Sequence, residues 1–132
     1  MKRRLHIAVR IAFVLYLVAV AWLCFGKFDS LPHVERKLLG IPTDKVVHFL
    51  MFLPFPILSF LAFDGYPGKH GTAVLYTILA FFAGCAFAAA TECIQARLSY
   101  RTGDVVDFQA DFLALAAGSL LVLFKVLRKH KE

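Results

Sequence analysis

Ten polar residues of types that bind phosphate, carry protons or hold cations fall at three points in an otherwise apolar chain: Asp44, Lys45, His48, then Thr91, Glu92, Gln95, then Arg101, Asp104, Asp107, Asp111. Asp44 and His48 are four residues apart, which places both on one face of a helix. Glu92 and Gln95 are three apart. Asp104, Asp107 and Asp111 follow i, i+3, i+7, a single helical stripe. This set offers proton transfer at a phosphate-bearing centre. His48 titrates near neutral pH in its ordinary state and suits general acid–base work. Asp107 or Asp44 can orient its ring. Glu92 in a dry setting can act as an acid. Arg101 grips phosphate with two parallel hydrogen bonds, Lys45 adds a point charge, and Gln95 completes the binding groups. The bland account of Asp104 and Asp107 is that acids at a helix start complement the helix dipole. The bland account of Glu92 and Asp111 is a polar network that ties helices together.

The elements that must position these residues are long and apolar. Of the 132 residues, 60% are hydrophobic, against about 45–50% in a soluble domain, and the mean hydropathy is +0.71. A bilayer core of about 30 Å needs about 20 apolar residues in a helix. Four blocks meet that length: 5–25, 46–63, 72–94 and 107–127. None alternates with period 2, so a transmembrane barrel is excluded. The expected fold is all-α: one polytopic domain over residues 1–132, a four-transmembrane-helix bundle with a short interfacial segment between helices one and two. That segment is expected to contain a helix around Val34–Leu39. Pro54 and Pro56 predict a kink in the second span. Cys24, Cys85 and Cys93 sit in apolar runs without a C-x-x-C pair and read as packing residues.

In an antiparallel bundle the start of helix two, the end of helix three and the start of helix four share one membrane face, so all ten polar residues meet at one rim. Nine Lys and Arg fall on the side of the termini and six on the side of the rim, with Lys2-Arg3-Arg4 flanking the first span. The expected topology is therefore cytoplasmic N- and C-termini and an outward-facing rim. Trp22 suits an interfacial anchor there. Ala19-Val20-Ala21 after a basic, apolar start also fits a cleavable signal, but the apolar run continues through Phe25 and is long enough to span. The net charge of +6 comes from residues at the termini and between spans, which argues against nucleic-acid binding.

Three motifs in order give a resemblance. Asp44-Lys45-Val46-Val47-His48-Phe49 opens one helix, Thr91-Glu92-Cys93-Ile94-Gln95 closes the next, and Arg101-Thr102-Gly103-Asp104-Val105-Val106-Asp107 precedes the last. Over about residues 44–118 the chain resembles the VanZ-like family of bacterial integral membrane proteins. The asparagine usual in that family falls on Asp111 here and a glycine falls on Ala114, while Gly118 is kept. The aspartate alters the charge of the site.

The resemblance implies a protein of the bacterial cytoplasmic membrane, in a family named for a member linked to low-level resistance to the glycopeptide teicoplanin. Its implied partners are membrane lipids, including phosphate-linked lipid carriers. The implied chemistry is on their head groups at the outer rim, with His48, Glu92 and Asp107 as catalytic residues. Lys45, Arg101 and Gln95 would bind the ligand, and Asp44, Asp104 and Asp111 would orient or support. No cofactor and no metal are assigned. The metal alternative is an oxygen set of Glu92, Asp104 and Asp107 around a hard cation such as Mg²⁺, and one histidine without thiolates argues against zinc. Two other readings stand beside the enzyme. One is a non-catalytic envelope protein whose polar cluster binds a lipid or partner, or ties the helices. The other is an ion pathway, which the apolar inner halves of the spans disfavour.

Overall fold

The computed structural model describes residues 2–25, 37–38, 41–63, 65, 68–98 and 105–129. Helix α1 covers Lys2–Phe25, and α2 (Thr43–Phe52) and α3 (Pro54–Ala62) together form the second span. Helix α4 covers His70–Arg97 and α5 covers Val105–Lys129. At 1.5 Å per residue, these spans are about 30–42 Å long. Among the described residues, four helices are long and apolar enough to cross a bilayer. The protein is an all-α, four-helix, multi-pass membrane protein.

The stripes that face inward are legible in the burial pattern. In α5 the buried residues are Asp107, Ala110, Asp111, Ala114, Leu115, Gly118, Val122 and Val126, a continuous 3-and-4 spacing down one face. In α4 the matching stripe is mostly small: Ala73, Thr77, Gly84, Ala88 and Thr91, ending in Glu92 and Gln95. Small residues let membrane helices approach closely, where van der Waals packing drives association. Helix α5 packs against α4, α2 and α3, and α1 lies against α3 and α4. The opposite faces carry Leu15, Val18, Leu79, Phe82, Leu120 and Phe124, all exposed. In water such a surface would aggregate; in lipid it is the matching solvent.

The kink or locally opened turn expected from Pro54 and Pro56 corresponds to a break in the helix at Leu53, between α2 and α3. Neither proline can donate to the carbonyl four residues back. Leu53 still keeps helical angles (φ −56°, ψ −41°), and its N–H reaches the Phe49 carbonyl at 3.0 Å. The ladder is thus interrupted while the path continues. Two contacts from other helices reach the backbone around the break. The Tyr16 hydroxyl of α1 donates to the Met51 carbonyl. Gly118 of α5 approaches so closely that a Cβ there would sit 2.8 Å from the Leu53 carbonyl oxygen. At the other end of the span, Arg10 Nε donates to the Ala62 carbonyl at 2.9 Å, a cation on the last turn of α3.

The interfacial helix expected around Val34–Leu39 is not what its described residues form. Lys37–Leu38 are extended and pair antiparallel with Ile41–Pro42, Lys37 opposite Pro42 and Leu38 opposite Ile41. A glycine at 40 and a proline at 42 favour a turn over a helix. The rest of that segment lies outside the described residues.

Candidate functional site

Helices α2, α4 and α5 bring their polar ends to one rim, as antiparallel packing requires. The first turns of α2 supply Lys45 and His48, the last turns of α4 supply Glu92 and Gln95, and the first turns of α5 supply Asp107 and Asp111. Among the described residues, every buried carboxylate or imidazole belongs to this rim: His48, Glu92, Asp107 and Asp111. The buried polar residues deeper in the bundle, Ser59 and Thr77, are hydroxyls, and the Thr77 hydroxyl is returned to its own helix at the Ala73 carbonyl.

The His48 ring lies between acids. Its Nδ1 is 2.9 Å from Asp111 Oδ1 and 3.9 Å from Glu92 Oε1. Its Nε2 is 3.6 Å from Asp107 Oδ2. The other Asp107 oxygen is paired with the Lys45 ammonium. A chain of charge therefore runs from Lys45 through Asp107 and His48 to Asp111 and Glu92. It crosses from α2 to α5, back to α2, then to α5 and α4. Lys45 and Asp107 side chains keep 14% and 10% of their exposure, and Asp111 keeps none. The rim is dry enough for these interactions to be strong, with Lys45 its most exposed member and Asp111 its most enclosed.

Gln95 is differently placed. Its Nε2 donates to the Cys24 carbonyl at 2.8 Å, joining the end of α4 to the end of α1. The contact satisfies one of the carbonyls that a helix C-terminus leaves over. Thr91, fully enclosed, returns its hydroxyl to the Ala88 carbonyl at 2.7 Å. The side chain of Asp44, and Arg101 and Asp104 altogether, lie outside the described residues. The oxygen set of Glu92, Asp104 and Asp107 therefore cannot be traced. The group whose donor atoms lie within 4.8 Å of one another is His48, Glu92 and Asp111.

Sequence spacing found the rim but not its pairings. Two contributors went unread: Tyr16, which fixes α1 against α2 one turn from His48, and the Cys24 carbonyl. Tyr16 carries a hydroxyl amid an apolar run, and that is the signal by which it stands out.

Fold and site together define a multi-pass α-helical membrane protein with a buried acid–imidazole cluster at one end of its bundle. Comparison with protein-family models, curated proteins and solved structures finds no match.

Proposed function

We propose that the chain is a VanZ-like protein of the bacterial cytoplasmic membrane. In this reading it acts at the outer rim on head groups of phosphate-linked lipids, and through them on teicoplanin susceptibility. The observation that carries the reading is the concentration of buried ionisable groups at one rim of a bundle that is otherwise lipid-compatible. Burying carboxylates in a membrane segment costs about 2.5–3.5 kcal/mol each on insertion scales, and such residues mark functional sites by default.

The reading assigns these roles, Arg101 among them from the sequence alone. His48 transfers the proton, because its two nitrogens face different carboxylates. Asp107 orients it from the Nε2 side, and Glu92 is the second acid on the Nδ1 side. Lys45, the most exposed of the cluster, receives the phosphate with Arg101. Asp111 holds the Nδ1 side of the ring. Gln95 supports the rim through Cys24 rather than through its amide reaching a ligand. An apolar crevice of about 750 Å³ between α1, α3 and α4, lined by Phe13, Leu17, Phe55 and Tyr76, supports a lipid partner. Its lining runs from Leu17 and Ala83 to Phe63 and Tyr76, within the apolar part of the bundle where an acyl chain would lie.

The second reading is a non-catalytic protein whose cluster binds a lipid or clamps the helices, and the Gln95–Cys24 and Lys45–Asp107 ties favour it. Alanine at His48, Glu92 or Arg101 separates the two, and Asp107 is tested by the paired exchange with Lys45, because its loss alone leaves Lys45 without its buried partner. The enzyme reading expects loss of the teicoplanin phenotype at unchanged membrane abundance. Abundance falling in step with the phenotype rejects it.

A further inference from the structure

We infer that His48, Glu92 and Asp111 form a binding site for one divalent cation of the Mn²⁺ class. One donor atom from each lies within 4.8 Å of the other two, and all three residues are buried. Metal–ligand bonds of about 2.1–2.2 Å put adjacent donors about 3 Å apart and opposite donors about 4.3 Å apart. The measured separations, 2.9 Å from Nδ1 to Asp111 and 3.9 Å from Nδ1 to Glu92, fall inside that window. The three donors come from three helices, α2, α4 and α5, so an ion there would join the bundle at its rim.

Three further observations point to a cation. First, Asp111 is wholly enclosed, and its Oδ2 has no hydrogen-bond partner among the described residues. A buried carboxylate oxygen without a donor is costly, and an ion held by both oxygens of the Asp111 carboxylate would satisfy it. Second, the far nitrogen of His48 faces Asp107, itself paired with Lys45. Ligating histidines commonly turn their other N–H to a carboxylate, which fixes the tautomer and frees the first nitrogen for the metal. A proton on Nδ1 accounts for the 2.9 Å contact with Asp111 Oδ1; an ion would take that proton's place, with the ring's other N–H towards Asp107 at 3.6 Å. Third, among the described residues of the rim, Glu92, Asp107 and Asp111 against Lys45 leave two negative charges when His48 is neutral, and a divalent ion cancels both.

The donor set selects the metal class. Two carboxylates and no thiolate suit oxygen-preferring ions, and the imidazole moves the preference from Mg²⁺ and Ca²⁺ toward Mn²⁺. Three protein donors leave positions open on a six-coordinate ion. The set also differs from the all-oxygen one that the sequence suggested, because the rotation and height of α5 against α2 bring Asp111 to His48. The inference does not depend on a lipid being the substrate.

The test uses the full chain purified in detergent, stripped with chelator and titrated with Mn²⁺ alone at neutral pH. Binding is followed by electron paramagnetic resonance, with pulsed detection of directly bonded ¹⁴N. One ion per chain with an imidazole nitrogen coupling is expected. His48→Gln should abolish the coupling, while His70→Gln, on an exposed residue at the opposite end of the bundle, should keep it. Glu92→Gln and Asp111→Asn, which keep size and shape, should each weaken binding by at least about 10-fold. Size-exclusion elution checks that each variant is folded. Wild-type protein that binds no Mn²⁺, or binds it without nitrogen coupling, overturns the inference. So does a coupling that survives His48→Gln.

Discussion

Replacing Asp107 by leucine removes the carboxylate that both Lys45 Nζ and His48 Nε2 face. The two paired side chains are nearly enclosed, at 14% and 10% exposure, so water replaces little of what is lost. Breaking a buried pair by deleting one partner costs about 3–5 kcal/mol, and Asp107→Leu is expected in that range. Lys45→Met should cost less, because Asp107 still faces the His48 ring at 3.6 Å. The double variant exchanges the pair for two apolar side chains, a replacement that is often neutral or stabilising. It should therefore be more stable than Asp107→Leu alone, with a coupling of about 1–3 kcal/mol. Thermal unfolding of the four proteins in one detergent measures the cycle. Coupling below about 0.5 kcal/mol would refute the claim that this pair is buried and specific. The same four proteins separate site from clamp. A functional rim predicts that the double variant regains stability and stays without the teicoplanin phenotype. A clamp predicts that both return together.

Three other outcomes follow from particular contacts. Gly118→Ala places a Cβ 2.8 Å from the Leu53 carbonyl, and backbone cannot swing aside, so a loss of about 1–3 kcal/mol is expected in thermal unfolding. Gly84→Ala should be milder, since its closest neighbour is the flexible tip of Leu115. Gln95→Leu frees the Cys24 carbonyl and should cost about 1–3 kcal/mol, read as a lower melting temperature and faster proteolysis near the end of α1. Reporters inserted at Gly68 and Gly103 should report cytoplasm and exterior respectively. Gly103 in the cytoplasm would reverse the proposed outward rim.

The four spans were legible because apolar length is set by the bilayer and needs no tertiary information. Pro54 and Pro56 located the break in the second span for the same reason: a missing N–H acts locally. The rim was legible because antiparallel order alone decides which helix ends meet. The pairings were not. Asp107 and Asp111 lie on one stripe, but which of them meets His48 depends on the rotation and height of α5 against α2. Those are set by Gly118 against Leu53 and by the small face of α4. Gln95 read as a ligand-binding amide, since no pattern in the sequence reveals that the Cys24 carbonyl stands opposite it. Lys37–Leu38 fell inside the interfacial helix expected around Val34–Leu39, and the nearby Gly40 and Pro42 favour the extended pairing they form instead.

The central claim is that the buried rim acts on a phosphate-linked lipid. Mass spectrometry of lipids copurified with the wild type and with His48→Ala, at matched membrane abundance, tests it most directly. A phosphate-bearing lipid whose head group differs between the two preparations is the predicted result. Identical lipid profiles from two equally folded proteins would contradict it.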